Sequence, residues 1–262
     1  MVKKSEQAIG IFDSGVGGTS IWKEIHALLP HENTIYLADS KNAPYGVKSR
    51  EKIISLCVKN TELLLTKGCK IIVVACNTAT TNAILYLREN YDIPFIGIEP
   101  AIKPASINTQ TKRVGILATK GTLSGELFQE TASLYSNGIK LIEQDGTGIV
   151  ELIESGKIYS KKMKGLLEKY LNPLIRENID FLVLGCSHYP YLTPILKEIL
   201  PPKIKIIDSG YAVARQTKSI LEKHSLLNLN DRKPNLKFYS NSDIVVLSSL
   251  LDHTCEVEKL DF

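Results

Sequence analysis

Short runs of Ile, Val and Leu recur along this chain with stretches of helical period between them, and that alternation limits the fold more than any other feature. "AIGIF", "TIYLA", "KIIVVA", "PFIGI", "RVGILAT", "IKLIEQ", "DFLVLG", "KIKIID" and "LKFYS" read as strands. Most are apolar at consecutive positions rather than alternate ones, so both faces of such a strand need cover. "GTSIWKEIHALL", "TTNAILYLREN" and "YLTPILKEIL" carry apolar residues at helical spacing and supply that cover. Strands separated by helices are joined by crossovers, which give a parallel sheet with helices on both sides. The class is α/β, doubly wound. A length of 262 residues allows one large domain or two of ordinary size. With 44% hydrophobic and 23% charged residues, the chain is neither disordered nor fibrous.

Two stretches reappear further along in the same order. "IGIFDSG" at 9–15 resembles "VGILATKG" at 114–121, and "IIVVACNTAT" at 71–80 resembles "FLVLGCSHYP" at 181–190. A repeat of this kind implies two related α/β halves. "IEPAIKPAS", with two prolines and no strong pattern, is the expected crossing near residue 100, and "IIDSG" near 208 the expected return. The expected domains are 1–99 together with 209–262, and 100–208.

The formal net charge of +4 is spread along the chain rather than gathered into runs, so no nucleic-acid partner is indicated. The opening "MVKKSEQAIGIF" is too short in apolar residues for a signal sequence or a membrane span, which makes a cytoplasmic location the default. Five cysteines, with no C-x-x-C pair, favour free thiols over a disulfide framework or a zinc site. Cys57, Cys69 and Cys255 read as core residues.

Cys76 and Cys186 differ, because each follows a strand at the carboxyl end of the sheet, where α/β proteins bind ligands. A helix N-terminus there would offer free N–H groups, lower a thiol pKa and hold carboxylates. Asn77, Thr78 and Thr80 follow the first thiol; Ser187, His188 and Tyr189 follow the second. "FDSGVGG" forms another strand-end loop, and its pattern is neither G-x-G-x-x-G nor the phosphate-binding G-x-x-x-x-G-K-[ST]. Its glycines are expected to let backbone approach a small ligand. Asp13 there fits a cap, a metal ligand or a catalytic acid. Tyr45 and Gly46 lie in a further strand-end loop, where turn chemistry and ligand contact are equally good readings. His188 beside Cys186 fits a cysteine nucleophile with its base. A second thiol in the matching position fits a different task, removal of a carbon-bound proton from one side and delivery from the other. Asp13 and His188 would tune the two thiols.

The segments "GIFDSGVGG", "ADSKNAPYG", "VVACNTAT", "IGIEPA", "GILATKGT" and "LGCSHYP" together resemble bacterial glutamate racemases of the cofactor-independent aspartate/glutamate racemase superfamily. The resemblance implies two similar doubly wound parallel-sheet domains related by pseudo-twofold symmetry, with the active site in the cleft between them. It implies interconversion of L- and D-glutamate, no cofactor and no metal, supply of D-glutamate for peptidoglycan, and a homodimer. It places acid/base roles on Cys76 and Cys186, assisted by Asp13 and His188. Substrate contacts fall on Asp13, Ser14, Tyr45, Gly46, Asn77, Thr78, Thr119, Ser187 and His188. Glu154 matches a supporting acid, although the family's Cys-Pro segment upstream of it is "EQDGTG" here. Ser187 stands where the family commonly has Thr, which keeps the hydroxyl. Aspartate racemisation or a related isomerisation is the alternative within the superfamily. A non-catalytic binding protein on the same fold is the alternative outside it, and the two thiols argue against that. The tail "LLDHTCEVEKLDF" receives no function.

Overall fold

The structure, a computed structural model, describes residues 3–262. Residues 1 and 2, at the start of the first expected domain, lie outside the described residues. All strand pairing is parallel, and the strands form two sheets. In the first, β1 (Ile9–Asp13) lies between β2 (Thr34–Ala38) and β3 (Ile71–Val74), with β4 (Phe95–Gly97) beyond β3. The second repeats that order. Its β5 (Arg113–Ala118) lies between β6 (Lys140–Asp145) and β7 (Phe181–Gly185), with β8 (Lys205–Ile207) beyond β7. The first sheet alone is extended on its β2 side, by β9 (Leu236–Ser240) and β10 (Val257–Lys259).

Every residue of β1, β2, β3 and β7 is buried, as strands covered on both faces require. Removing each large side chain of β1 (Ile9, Ile11, Phe12) from water contributes about 1.5–3 kcal/mol. The helices α1 (Thr19–Leu28), α2 (Arg50–Thr66) and α3 (Asn77–Asn90) belong to the first sheet's crossovers. Four helices follow β5 before β7: α5 (Lys120–Leu123), α6 (Glu126–Tyr135), α7 (Ile149–Glu154) and α8 (Lys161–Arg176). The remaining helices are α4 (Ile102–Asn108), α9 (Thr193–Ile199), α10 (Gly210–Lys223) and α11 (Val245–Leu250). In both sheets the chain leaves the central strand in opposite directions, so the cleft opens at the carboxyl ends of β1 and β3, and of β5 and β7.

The stretch expected to cross without pattern contains α4, with Pro104 in its first turn, where a missing N–H costs nothing. The two crossings touch, since the Ser209 hydroxyl donates to the Glu99 carbonyl. One cluster of buried apolar side chains runs from Ile11, Trp22 and Phe238 through Val16 to Ile149, Ile153, Leu184 and Tyr189, so the halves share a core. Cys57 and Cys69 are buried, and burial pushes both thiols up, Cys69 to about 12. Cys255 is only half-buried, a correction to its reading as core. The tail is ordered: β10 pairs with β9, and Leu260 and Phe262 pack on the core of the first sheet.

Candidate functional site

Asp13 ends β1, and the loop that follows folds around it. Its Oδ2 accepts the Gly18 N–H at 2.7 Å, and the Tyr36 hydroxyl holds the Gly15 carbonyl at 2.8 Å. Ser14 Oγ lies 3.5 Å from Asp13 Oδ1 and 3.5 Å from Cys76 Sγ. Cys76 caps α3, its sulfur accepting the Ala79 N–H at 3.5 Å. Burial dominates this side of the site. It raises the Asp13 pKa, against the pull of His188 and the Gly18 N–H. It also pushes the Cys76 thiol well up, and Asp13 adds to the push; Ser14 and the Ala79 N–H oppose it without winning. The expectation that a helix N-terminus would lower this pKa is overturned, because one cap contact at 3.5 Å does not offset full desolvation beside a carboxylate. The protonated thiol is the favoured form of Cys76.

Cys186 follows β7, but the chain then turns through a 3-10 segment, Tyr189–Leu192, before α9 begins at Thr193. It therefore sits at a strand end without the expected α-helix N-terminus; Pro190 at the start of that segment disfavours α conformation for the residue before it. An imidazole takes the helix's place. His188 Nδ1 lies 3.7 Å from Cys186 Sγ, and His188 Nε2 lies 2.6 Å from Glu154 Oε1. Burial works against a charged imidazole here, yet the contacts with Cys186 and Glu154 outweigh it and hold the His188 pKa well above its usual 6.5. A charge on Cys186 also raises Cys76, which places the two sulfurs within electrostatic reach of each other.

Glu154 comes from α7 in the second half and is fastened to the first. Its Oε1 also accepts the Val16 N–H at 2.7 Å, and its Oε2 accepts the Ser40 hydroxyl at 2.8 Å. A Cβ on Gly15 would overlap the Glu154 carboxylate, and one on Gly17 would overlap the His188 ring. Gly15 and Gly17 of "FDSGVGG" thus admit side chains of the other half, and Gly18 packs on Asp13, Tyr36 and Ala75 of its own, which corrects the reading that they make room for a ligand.

Other contacts cross the cleft. Ser187 Oγ lies 3.3 and 3.4 Å from the two Asp13 oxygens and 3.4 Å from His188 Nδ1. Ser20 Oγ donates to the Ser187 carbonyl at 2.7 Å. Thr78 Oγ1 stands 2.8 Å from Thr119 Oγ1 and 3.2 Å from Thr122 Oγ1. Gly46 faces the Thr119 side chain, while the Tyr45 hydroxyl is directed elsewhere, to buried Asp39 at 2.5 Å, with Asn60 donating to it at 3.2 Å. Asp39 escaped the sequence reading, although it stands just past the end of β2 much as Asp13 stands at the end of β1. Asn77 is buried with neither amide atom bonded to another described residue, so both its donor and its acceptor are free for a ligand. On the rim, a hollow of about 20 Å³ lies between Gly46, Thr119, Gly146 and Thr147, room for one water but not for an amino acid. Among the described residues, no group of three or more His, Cys, Asp or Glu could hold a metal ion.

Two matched parallel sheets presenting one buried thiol each to a shared cleft, with a carboxylate beside one and an imidazole beside the other, define a site for acid/base chemistry from two sides. The profile of the Asp/Glu/hydantoin racemase family matches residues 10–217, and the chain belongs to that family. It is 44% identical to a glutamate racemase of Herpetosiphon aurantiacus over 238 residues, 91% of this chain and 94% of that one. A glutamate racemase isoform from Bacillus anthracis superposes with a TM-score of 0.88 at 29% identity, over 98% of both chains. The Escherichia coli glutamate racemase, solved with L-glutamate and an activator, UDP-MurNAc-Ala, gives 0.84 at 33% identity, over 97% of this chain and 98% of that one.

Proposed function

We propose that this chain interconverts L- and D-glutamate by a two-base proton transfer at the α-carbon between Cys76 and Cys186. The observation that carries the reading is the pair of thiols, each following the matching strand of its own sheet. One cysteine as thiolate removes the α-proton from one face, and the other as thiol returns a proton from the opposite face, which inverts the centre. His188, backed by Glu154, stands beside Cys186 as its proton partner; Asp13 and burial favour the proton on Cys76. That arrangement is a starting state for one direction. The free amide of Asn77, with the hydroxyls of Ser14, Thr78, Thr119 and Ser187 and the backbone at Gly46, would hold the substrate's carboxylates and ammonium group. Glutamate rather than aspartate follows from the relatives, whose similarity extends over nearly the whole chain.

The same reading assigns residues 1–99 with 209–262 to one domain and 100–208 to the other, with closure about the Glu99–Ser209 contact. It assigns the product to peptidoglycan synthesis in the cytoplasm and expects a homodimer. No helix among the described residues is long and apolar enough to cross a membrane. Purified protein, treated with chelator and free of pyridoxal phosphate, should racemise both glutamate enantiomers and exchange their α-hydrogen in D2O. Turnover of aspartate with no action on either glutamate enantiomer would overturn the assignment.

A further inference from the structure

Racemisation by two thiols leaves the enzyme altered. A turnover that starts with a thiolate at Cys186 and a thiol at Cys76 ends with the proton on Cys186 and the charge on Cys76. Before the same enantiomer can react again, one proton must return from Cys186 to Cys76. While the halves are closed, bulk water has little access to either sulfur, since Cys76 is 4% exposed and Cys186 6%, so an internal return of the proton does not wait for the site to open.

The side chains between the sulfurs form an unbroken line. From Cys186 Sγ the steps are 3.7 Å to His188 Nδ1, 3.4 Å from there to Ser187 Oγ, and 3.3 Å to Asp13 Oδ1. Two more of 3.5 Å lead through Ser14 Oγ to Cys76 Sγ. Every member is buried. Among the described residues, Ser187 is the only link that joins the imidazole to the carboxylate, and it spans the two halves of the molecule. We propose that Ser187 closes an internal proton relay that resets the two thiols between turnovers. The inference rests on the racemase reading of the preceding subsection.

The step balances with one proton and no change of oxidation state. His188 passes its Nδ1 proton to Ser187 Oγ as the Ser187 hydroxyl proton moves to Asp13. Asp13 passes a proton to Ser14 Oγ as the Ser14 hydroxyl proton moves to the Cys76 thiolate. Cys186 then reprotonates His188 Nδ1. Cys186 ends as thiolate, Cys76 as thiol, and His188, Ser187, Asp13 and Ser14 are as they began. The raised pKa of Asp13 makes it a suitable transient carrier, because its protonated form is not far out of reach. The two serine–carboxylate contacts are about 0.5–0.8 Å longer than a good O–H···O bond, so transfer requires the serine side chains to rotate toward Asp13.

A tracer-perturbation experiment reads this step apart from the chemistry. Labelled L- and D-glutamate are brought to equilibrium, and a large excess of one unlabelled enantiomer is added. If the two protonation forms of the free enzyme interconvert slowly, the label is transiently driven out of equal distribution. In Ser187→Ala this displacement should set in at a total glutamate concentration about a hundredfold or more below that of the natural enzyme, the lower end of what a lost acid/base group costs. Ser187→Thr keeps the hydroxyl and should behave as the natural enzyme does, which a merely structural role for Ser187 would not require. Ser14→Ala breaks the same line at its other end and should reproduce the Ser187→Ala result, serving also where that variant turns over too slowly to measure. An unchanged threshold in the alanine variants would overturn the relay while leaving racemisation intact. A natural enzyme without racemase activity would overturn the underlying reading instead.

Discussion

Cys76 and Cys186 occupy corresponding places in two sheets, β2-β1-β3-β4 matching β6-β5-β7-β8, yet their surroundings differ. Cys76 caps an α-helix, and even so burial and Asp13 hold it as the thiol. Cys186 has a 3-10 turn after it in place of a helix, and beside it stands an imidazole that Glu154 helps to keep charged. The repeat supplies position, and the residues just after each strand supply polarity. A two-base racemase needs both: matched positions so that the thiols meet one carbon from two faces, and unequal environments so that they are not in the same protonation state.

The pairing of the two thiols fails outright if either proves dispensable. Cys76→Ala and Cys186→Ala should each lower kcat/KM for both enantiomers by about 10³-fold or more, within the range of general acid–base groups. Polarimetry, or circular dichroism of the glutamate, measures this directly. Full activity in one variant would mean that a single base serves both faces.

Much of this was legible in the residues, and the failures have physical causes. "TIYLA" coincides with β2 because a parallel strand covered on both faces has to be a continuous apolar or aromatic run, and "LKFYS" coincides with β9 on the strength of Phe238 and Tyr239, the buried apolar residues of that strand. The three-residue β10, "VEK", carries no such signal; it exists because β9 offers an edge and because Leu260 and Phe262 find apolar partners beyond it. The thiols were legible as a pair, since the repeat that marks the sheets extends into the residues just after β3 and β7. The raised pKa of Cys76 was not, because desolvation depends on how the halves close, which is a property of tertiary contacts such as Glu154 with Val16 and Ser40. The same closure explains Gly15 and Gly17 of "FDSGVGG": sequence shows that something approaches closely and cannot show that it is Glu154 and His188.

A smaller effect tests the contrast between the two environments. Glu154→Gln keeps the shape of the side chain and removes the charge that supports His188. The imidazole should then titrate nearer its usual 6.5, lower than in the natural protein, as followed by the ring nitrogen signals in NMR. Activity should fall about tenfold, the cost of losing one hydrogen bond to a charged group. Because the two enantiomers have equal free energies, kcat/KM has to fall equally in both directions. Glu154 bonds the imidazole beside Cys186 directly and reaches Asp13 only through its charge, so kcat itself should fall unequally for L- and D-glutamate. An unshifted His188 titration would place the support elsewhere.

The smallest effect concerns how each thiol loop is fastened. A hydroxyl of the opposite half holds each one: Ser20 bonds the Ser187 carbonyl after Cys186, and Thr119 and Thr122 bond Thr78 after Cys76. Ser20 is only half-buried, and water can replace its hydroxyl when the halves part. Ser20→Ala should therefore cost about 1 kcal/mol of stability in urea unfolding, the net value of one ordinary hydrogen bond. It leaves the His188–Glu154 pair untouched, so the His188 titration should remain that of the natural protein. A loss of several kcal/mol, or a shifted titration, would show that the Cys186 loop takes its polarity from the first half as well as from the imidazole beside it.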